Sequence, residues 1–259
     1  MSEFRKLVEE VQLDQALGED LGSIARNALL GAGIALGSMQ GVDAKTNPEA
    51  LYNGNHEITS KYEHGGKGYA AITKDNYGGH SYGKQQLSTR RINNCPSTFD
   101  TFLKYTKEKA PYIYNTLDNA GGWEGAYQGT DLFKQAWLQL ADQKEFRDIY
   151  DNFITDTQIL PVYNRMDQAT SVNLDKITEW GSTNEAVQAA IQSAIIQHGR
   201  SGAFDMIAKV VKNNNPTTMR DFILQLYDYR AKKFPKYKSR YNSECSELLN
   251  CLVADNLEK

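Results

Sequence analysis

Two glycine pairs, Gly65-Gly66 and Gly78-Gly79, punctuate residues 57–88 (EITSKYEHGGKGYAAITKDNYGGHSYGKQQLS) and restrict what the chain around them can form. Paired glycines reach left-handed backbone conformations at low steric cost, so the first pair stops a short helix running from residue 57. Glu63 then falls in the last helical turn. There the negative end of the helix dipole, together with partial burial, raises a carboxyl group's affinity for its proton. Beyond the pair, residues 69–73 are apolar and β-branched, residues 74–79 are dense in turn formers, and residues 80–87 alternate small, aromatic and polar side chains. That pattern predicts a β-hairpin. A helix ending in Glu63, followed directly by a hairpin with Asp75 near its turn, brings two carboxyl groups towards one cleft. Glycoside hydrolysis commonly uses such a pair, one protonated on the leaving oxygen and one ionised to activate water or attack the sugar.

After the hairpin the pattern is helical almost throughout. Phe99, Phe102 and Leu103 start a helix that Pro111 breaks, and a second runs from near Tyr112 to Gly121-Gly122. Asp131 or Thr130 caps a third with Phe133, Ala136, Trp137 and Leu140 on one face. Phe146, Ile149, Tyr150, Phe153 and Ile154 repeat that spacing as far as Pro161. Asn184 can cap the most apolar helix, residues 185–198, which Gly199 stops. Helices over 204–211 and 218–233, and a last one carrying Tyr237, Tyr241, Leu248 and Leu252, complete seven or eight helices beside one hairpin. This is an α+β, mostly helical arrangement.

Composition narrows the chemistry. The 259 residues suffice for one domain of about 200 residues plus an extension. A formal net charge of -3 gives no electrostatic case for nucleic acid, and so mildly acidic a balance gives little reason to expect a polycationic polymer as substrate, which would reward a strongly acidic cleft. Cys95, Cys245 and Cys251 are read as free thiols of a chain that folds in a reducing cytosol. The histidines, His56, His64, His80 and His198, lack ligand spacing, so no metal or cofactor is expected.

Residues 1–50 differ from the rest. Phe4, Leu7, Val8 and Val11 place an amphipathic helix over 2–17. Residues 24–42 are rich in Ala, Gly and Leu, but the mostly polar, partly acidic chain before them lacks the basic start of a secretion signal. They are also too short and glycine-rich for a membrane span, which needs about 20 apolar residues. An apolar linker, or a helix packing on a neighbouring subunit, is favoured over membrane contact; a packaging or ejection segment is the sharper reading. Residues 43–55 read as a linker, dividing the chain into a 1–50 extension and a 51–259 domain.

The sequence Tyr62-Glu63-x-Gly65-Gly66, then Gly78-Gly79-x-Ser81-Tyr82-Gly83-x-x-Gln86-Leu87-Ser88, resembles the lysozyme-like peptidoglycan hydrolase domain found at the C-terminus of some type VI secretion spike proteins and in phage virion proteins, a group similar in turn to chitosanases and phage lysozymes. Residues 133–141, Ile196-Gln197-His198-Gly199, and Leu226-Tyr227-Asp228-x-Arg230 continuing to Arg240-Tyr241-x-x-Glu244 resemble the same family, so the likeness spans roughly residues 57–252. It implies a lysozyme-like fold, a peptidoglycan substrate, association with a virion or secretion particle through residues 1–50, and action in the periplasm or cell wall after synthesis in the cytosol. One departure matters: the family pattern places an Asp two residues before the Gly-Gly, where this chain has Asn76. Either the turn shifts by one residue and Asp75 takes the role, or the second carboxylate is missing and Glu63 acts alone.

The candidate site is therefore Glu63 and Asp75 as the catalytic pair, with Asn76, Ser81, Tyr82, Gln86 and His198 binding substrate. Tyr82 could stack on a sugar ring while Gln86 hydrogen-bonds a hydroxyl or acetamido group; ordinary hairpin packing explains Tyr82 equally well. An Asp in a turn more often bonds its own backbone than activates water. His198, at the end of the central helix, is more often a satisfied buried histidine than a catalyst. Asp228, Arg230, Arg240 and Glu244 read as a structural ion-pair set. Trp123, Trp137 and Trp180 could stack on sugars, though Trp137 sits in an apolar stripe and reads as core. The expected activity is glycan-strand hydrolysis; the alternatives are a lytic transglycosylase, a chitosanase and a non-catalytic virion protein.

Overall fold

The computed structural model describes residues 67–76, 78–92, 95–169, 172 and 174–257, with side chains as far as 252. The expected helices over 2–17 and 57–63, the segment 24–42 and Glu63 itself lie outside the described residues. The described chain forms two compact units, divided between Thr157 and Gln158.

The first unit opens with a 3-10 turn, Gly68–Ala70, followed by three short antiparallel strands: β1 (Ile72–Lys74), β2 (His80–Tyr82) and β3 (Leu87–Ser88). The register pairs Thr73 with Ser81 and Ser81 with Ser88. A two-stranded hairpin was expected; the third strand arises because the chain reverses again over Gly83–Gln86, where Gln86 N donates to Gly83 O. Five helices follow: α1 (Thr98–Lys109), α2 (Pro111–Asn119), α3 (Gly122–Gln128), α4 (Asp131–Ala141) and α5 (Lys144–Ile154). Ser97 opens α1 with a reciprocal capping box to Asp100, and Thr130 caps α4. The core is aromatic: Tyr82, Phe99, Phe102, Phe133, Trp137 and Tyr150 are all fully buried. The polar edges of these rings are satisfied, Trp137 Nε1 donating to Tyr69 O (2.8 Å) and Tyr82 Oη to Ala126 O (2.8 Å).

Gly83 fixes how β2 leaves this core. Its φ is +76°, and a Cβ there would lie 2.6–2.7 Å from the Tyr150 ring. Gly83→Ala combines left-handed strain of about 1–2 kcal/mol with an overpacking cost of about 1–3 kcal/mol. The expected result is a loss of about 2–5 kcal/mol in urea unfolding; a variant as stable as the parent would show that the ring moves aside freely.

Pro161 does not end the helical run as predicted. The chain passes from α5 into a π-helical turn, Thr155–Ile159, and Pro161 then sits in the first turn of α6 (Leu160–Asp167), where a missing N–H is cheapest. The second unit continues with α7 (Asp175–Thr183), α8 (Glu185–Asn214), α9 (Met219–Lys233) and α10 (Lys238–Leu257). As expected, Asn184 caps α8, its Oδ1 accepting from the backbone N–H groups of Ala186 and Val187. Every residue from 186 to 195 is buried, because α6, α7, α9 and α10 all pack on this helix. Gly199 interrupts rather than ends it: at φ 69° and ψ 173° it breaks the helix for one residue, and helical conformation resumes to Asn214.

Candidate functional site

The turn between β1 and β2 holds the described carboxylate of the predicted pair. Asp75 N donates to Gly79 O (3.1 Å) and Gly78 N to Asp75 O (3.2 Å), closing a turn in which Gly78 and Gly79 have φ of +95° and +81°. The Ser81 hydroxyl lies 3.1 Å from Asp75 Oδ1 and 3.0 Å from Oδ2, donating across both oxygens. Partial burial pushes the Asp75 carboxyl above the ordinary aspartate value, while the Ser81 hydrogen bond and the charges of His80 and Arg90 pull it down. Asn76 is exposed in the same turn, so Asp75 is the residue whose carboxylate meets Ser81.

Two other hairpin residues are placed differently from the expectation. Tyr82 offers no face to a sugar: it is fully buried, with Phe99, Phe133 and Trp137 ring centroids 5.1–5.3 Å away. Gln86 is half-buried at φ +54°, and its side-chain amide donates to Gly83 O (2.9 Å), bracing the second turn.

His198 belongs to the second unit. It is buried, stacked on Phe234 with centroids 4.6 Å apart, and its Nε2 is 3.5 Å from Tyr241 Oη. Burial, reinforced by the charges of Arg230, Lys233 and Arg240, lowers its pKa to about 2, so it stays neutral at physiological pH. Of the expected ion-pair set, Arg230 and Glu244 are fully buried. Arg230 Nη2 donates to Gln197 Oε1 (2.6 Å) and Ser193 Oγ (3.0 Å), and Arg240 Nε is 4.0 Å from Glu244. Asp228 stands apart from that set, pairing at the surface with Lys232 (2.6 Å). Among the described residues, no group of three or more His, Cys, Asp or Glu is placed to hold a metal ion.

Residues around the Asp75 turn take roles that the sequence did not disclose: Trp123, expected only as a possible sugar platform, and His80 and Tyr127, to which no role was given. His80 Nδ1 donates to Tyr127 O (3.1 Å), fixing the Nδ1–H form of the ring. Trp123 Nε1 donates to Thr89 O (2.9 Å), and Thr89 Oγ1 donates in turn to His80 O (2.8 Å). The signal was available in principle: Trp123 and Tyr127 are four apart, the spacing of neighbours on one helical face.

Residues 56–254 match the family model described as the type VI secretion system spike protein VgrG3-like, C-terminal. The chain belongs to this family. A search of curated proteins finds no match. Among solved structures, a GH46 chitosanase from Gynuella sunshinyii in complex with chitotetraose is similar at 16% identity and a TM-score of 0.51, the match covering 83% of this chain and 91% of that one. Native chitosanase from Bacillus subtilis MY002 is similar at 18% identity, a TM-score of 0.47 and the same coverage of each chain. The chain thus has the mostly helical, lysozyme-like α+β fold of the GH46 chitosanases.

Proposed function

We propose that the chain is a glycoside hydrolase that cuts the glycan strand of bacterial peptidoglycan. The observation that carries this reading is the Asp75 carboxylate, half-buried, raised in pKa and held through both oxygens by Ser81, in a chain with a glycosidase fold and a secretion-spike family. Glu63 protonates the leaving glycosidic oxygen, and ionised Asp75 orients and deprotonates the attacking water. A raised pKa suits a base, because proton affinity and driving force rise together. Residues 51–259 form the catalytic domain, and residues 1–50 attach it to a phage or secretion particle that delivers it from the cytosol to the cell wall.

The test is mass spectrometry of soluble products from purified peptidoglycan and, separately, from chitosan. Hydrated muropeptides are the expected result. Chitosan fragments with intact cell wall would favour a second reading, a chitosanase, which the chitotetraose-bound structural neighbour supports. No products from either polymer would overturn the enzymatic reading.

The Ser81–Asp75 bond makes a pH prediction. Ser81 stabilises the charged carboxylate, so Ser81→Ala raises the Asp75 pKa further. A base must be ionised, so the acid limb of kcat/KM, already above the ordinary aspartate range, moves to higher pH. A limb that stays in place or moves down in Ser81→Ala would separate Asp75 from the proton transfer.

A further inference from the structure

We infer that Tyr127 is a positioning residue for the Asp75 carboxylate, bracing from outside the glycine turn that aims it. The inference rests on the role proposed for Asp75, and deepens it. A turn built on Gly78 and Gly79 has the least intrinsic preference of any backbone, so what packs on it selects its conformation. A Cβ at Gly79 would lie 3.0 Å from Tyr127 Cδ2 and Cε2, and one at Gly78 would lie 3.1 Å from Tyr127 Oη. Thr89 Oγ1 would be 2.7 Å from the same Gly79 Cβ. The space a side chain would need at Gly79 is therefore already filled by a ring and a hydroxyl, which hold the bare backbone at this close approach.

The ring is itself backed. Trp123 stacks on Tyr127 with centroids 5.1 Å apart and planes 21° apart, and the Arg91 guanidinium lies 3.7 Å from the Trp123 ring. Arg91 is held in turn by Asp100, with Nε to Oδ2 at 2.9 Å, and Asp100 is the capping-box residue of α1. A continuous file of contacts thus runs from the start of α1 to the turn carrying Asp75. Tyr127 and Trp123 are only half-buried and stand outside the aromatic core of Tyr82, Phe99 and Trp137. Tyr127 meets the turn, and Trp123 backs Tyr127.

The test compares Tyr127→Ala and Tyr127→Phe by two readouts, kinetics on solubilised peptidoglycan and the titration of Asp75 followed by carboxyl carbon-13 NMR. Tyr127→Ala is expected to lower kcat about 10- to 100-fold with KM within about twofold, since misplacing a catalytic group by about 1 Å can cost that much. Its Asp75 titration should shift from the parent midpoint by about half a unit, because a released turn changes both the hydration of the carboxylate and its bond to Ser81. Tyr127→Phe keeps the ring and should match the parent in both. An unchanged Asp75 titration in folded Tyr127→Ala overturns the inference. If that variant does not fold, Tyr127→Leu, which keeps bulk without a flat face, is judged by the same titration. Asp75→Asn with full activity would refute the catalytic role alone, leaving the titration to decide the bracing.

Discussion

Glu63→Gln is expected to abolish the proposed peptidoglycan cleavage, with kcat/KM falling by about a thousandfold or more. The glutamine side chain has the same shape but no carboxyl proton to give, and a sugar alkoxide is too poor a leaving group to depart unprotonated; a positioned general acid contributes about 10²- to 10⁴-fold. Tyr69 is firmly tied. Tyr69 Oη donates to Asp151 (2.6 Å), Tyr69 O accepts from Trp137 Nε1, and the Tyr69 ring meets Tyr150 edge-on. The measurement is release of reducing ends, with circular dichroism to show that the variant is folded. Full activity in Glu63→Gln would leave the proposed mechanism without its acid.

Asp75→Asn is expected to cost about 100-fold or more in the same assay, because the base that activates water is gone. The substitution is nearly isosteric, and its carbonyl oxygen can still accept from the Ser81 hydroxyl, so the turn is preserved and the loss reports chemistry rather than collapse. The identity of the products decides between mechanisms. A hydrolase loses its hydrated products in this variant as it does in Glu63→Gln. If 1,6-anhydro sugars are formed and survive Asp75→Asn, the substrate's own hydroxyl is the nucleophile, and Glu63 works alone as a transglycosylase.

How far the sequence disclosed this arrangement depended on whether local signals and tertiary packing agreed. Asn184, Ser97 and Thr130 sit at helix starts because a short side-chain oxygen satisfies backbone donors there, and that rule needs no knowledge of the rest of the fold. The second hairpin turn was hidden because Gly83 takes only one of its two left-handed positions, while the other falls to Gln86, a residue with no turn signature. Helix α3 was missed because Gly121-Gly122 reads as a stop, while in the structure Gly121 is the N-cap and Gly122 the first residue of a seven-residue helix. Helix α7 was missed because nine residues carry few apolar positions. In β2 all three residues are buried, so alternation could not say which side Tyr82 faces; covering both faces of a strand erases that signal. At the site, Asp75 was legible as a turn residue and Ser81 as a hairpin residue but not the bond between them, and Tyr127 and Trp123, about 50 residues later, reach the turn only through tertiary packing.

The contact between His80 and Gly129 ties two distant positions together in evolution. Gly129 has φ +63°, and a Cβ there would fall inside the space of the His80 ring, which Tyr127 O holds from the neighbouring carbonyl. Neither position can drift alone: a side chain at 129 requires a smaller residue at 80, and a ring at 80 requires that 129 stay bare. Relatives of this chain should therefore divide into two groups at these sites, and a sequence carrying both a ring at 80 and a branched residue at 129 would have to route the end of α3 differently.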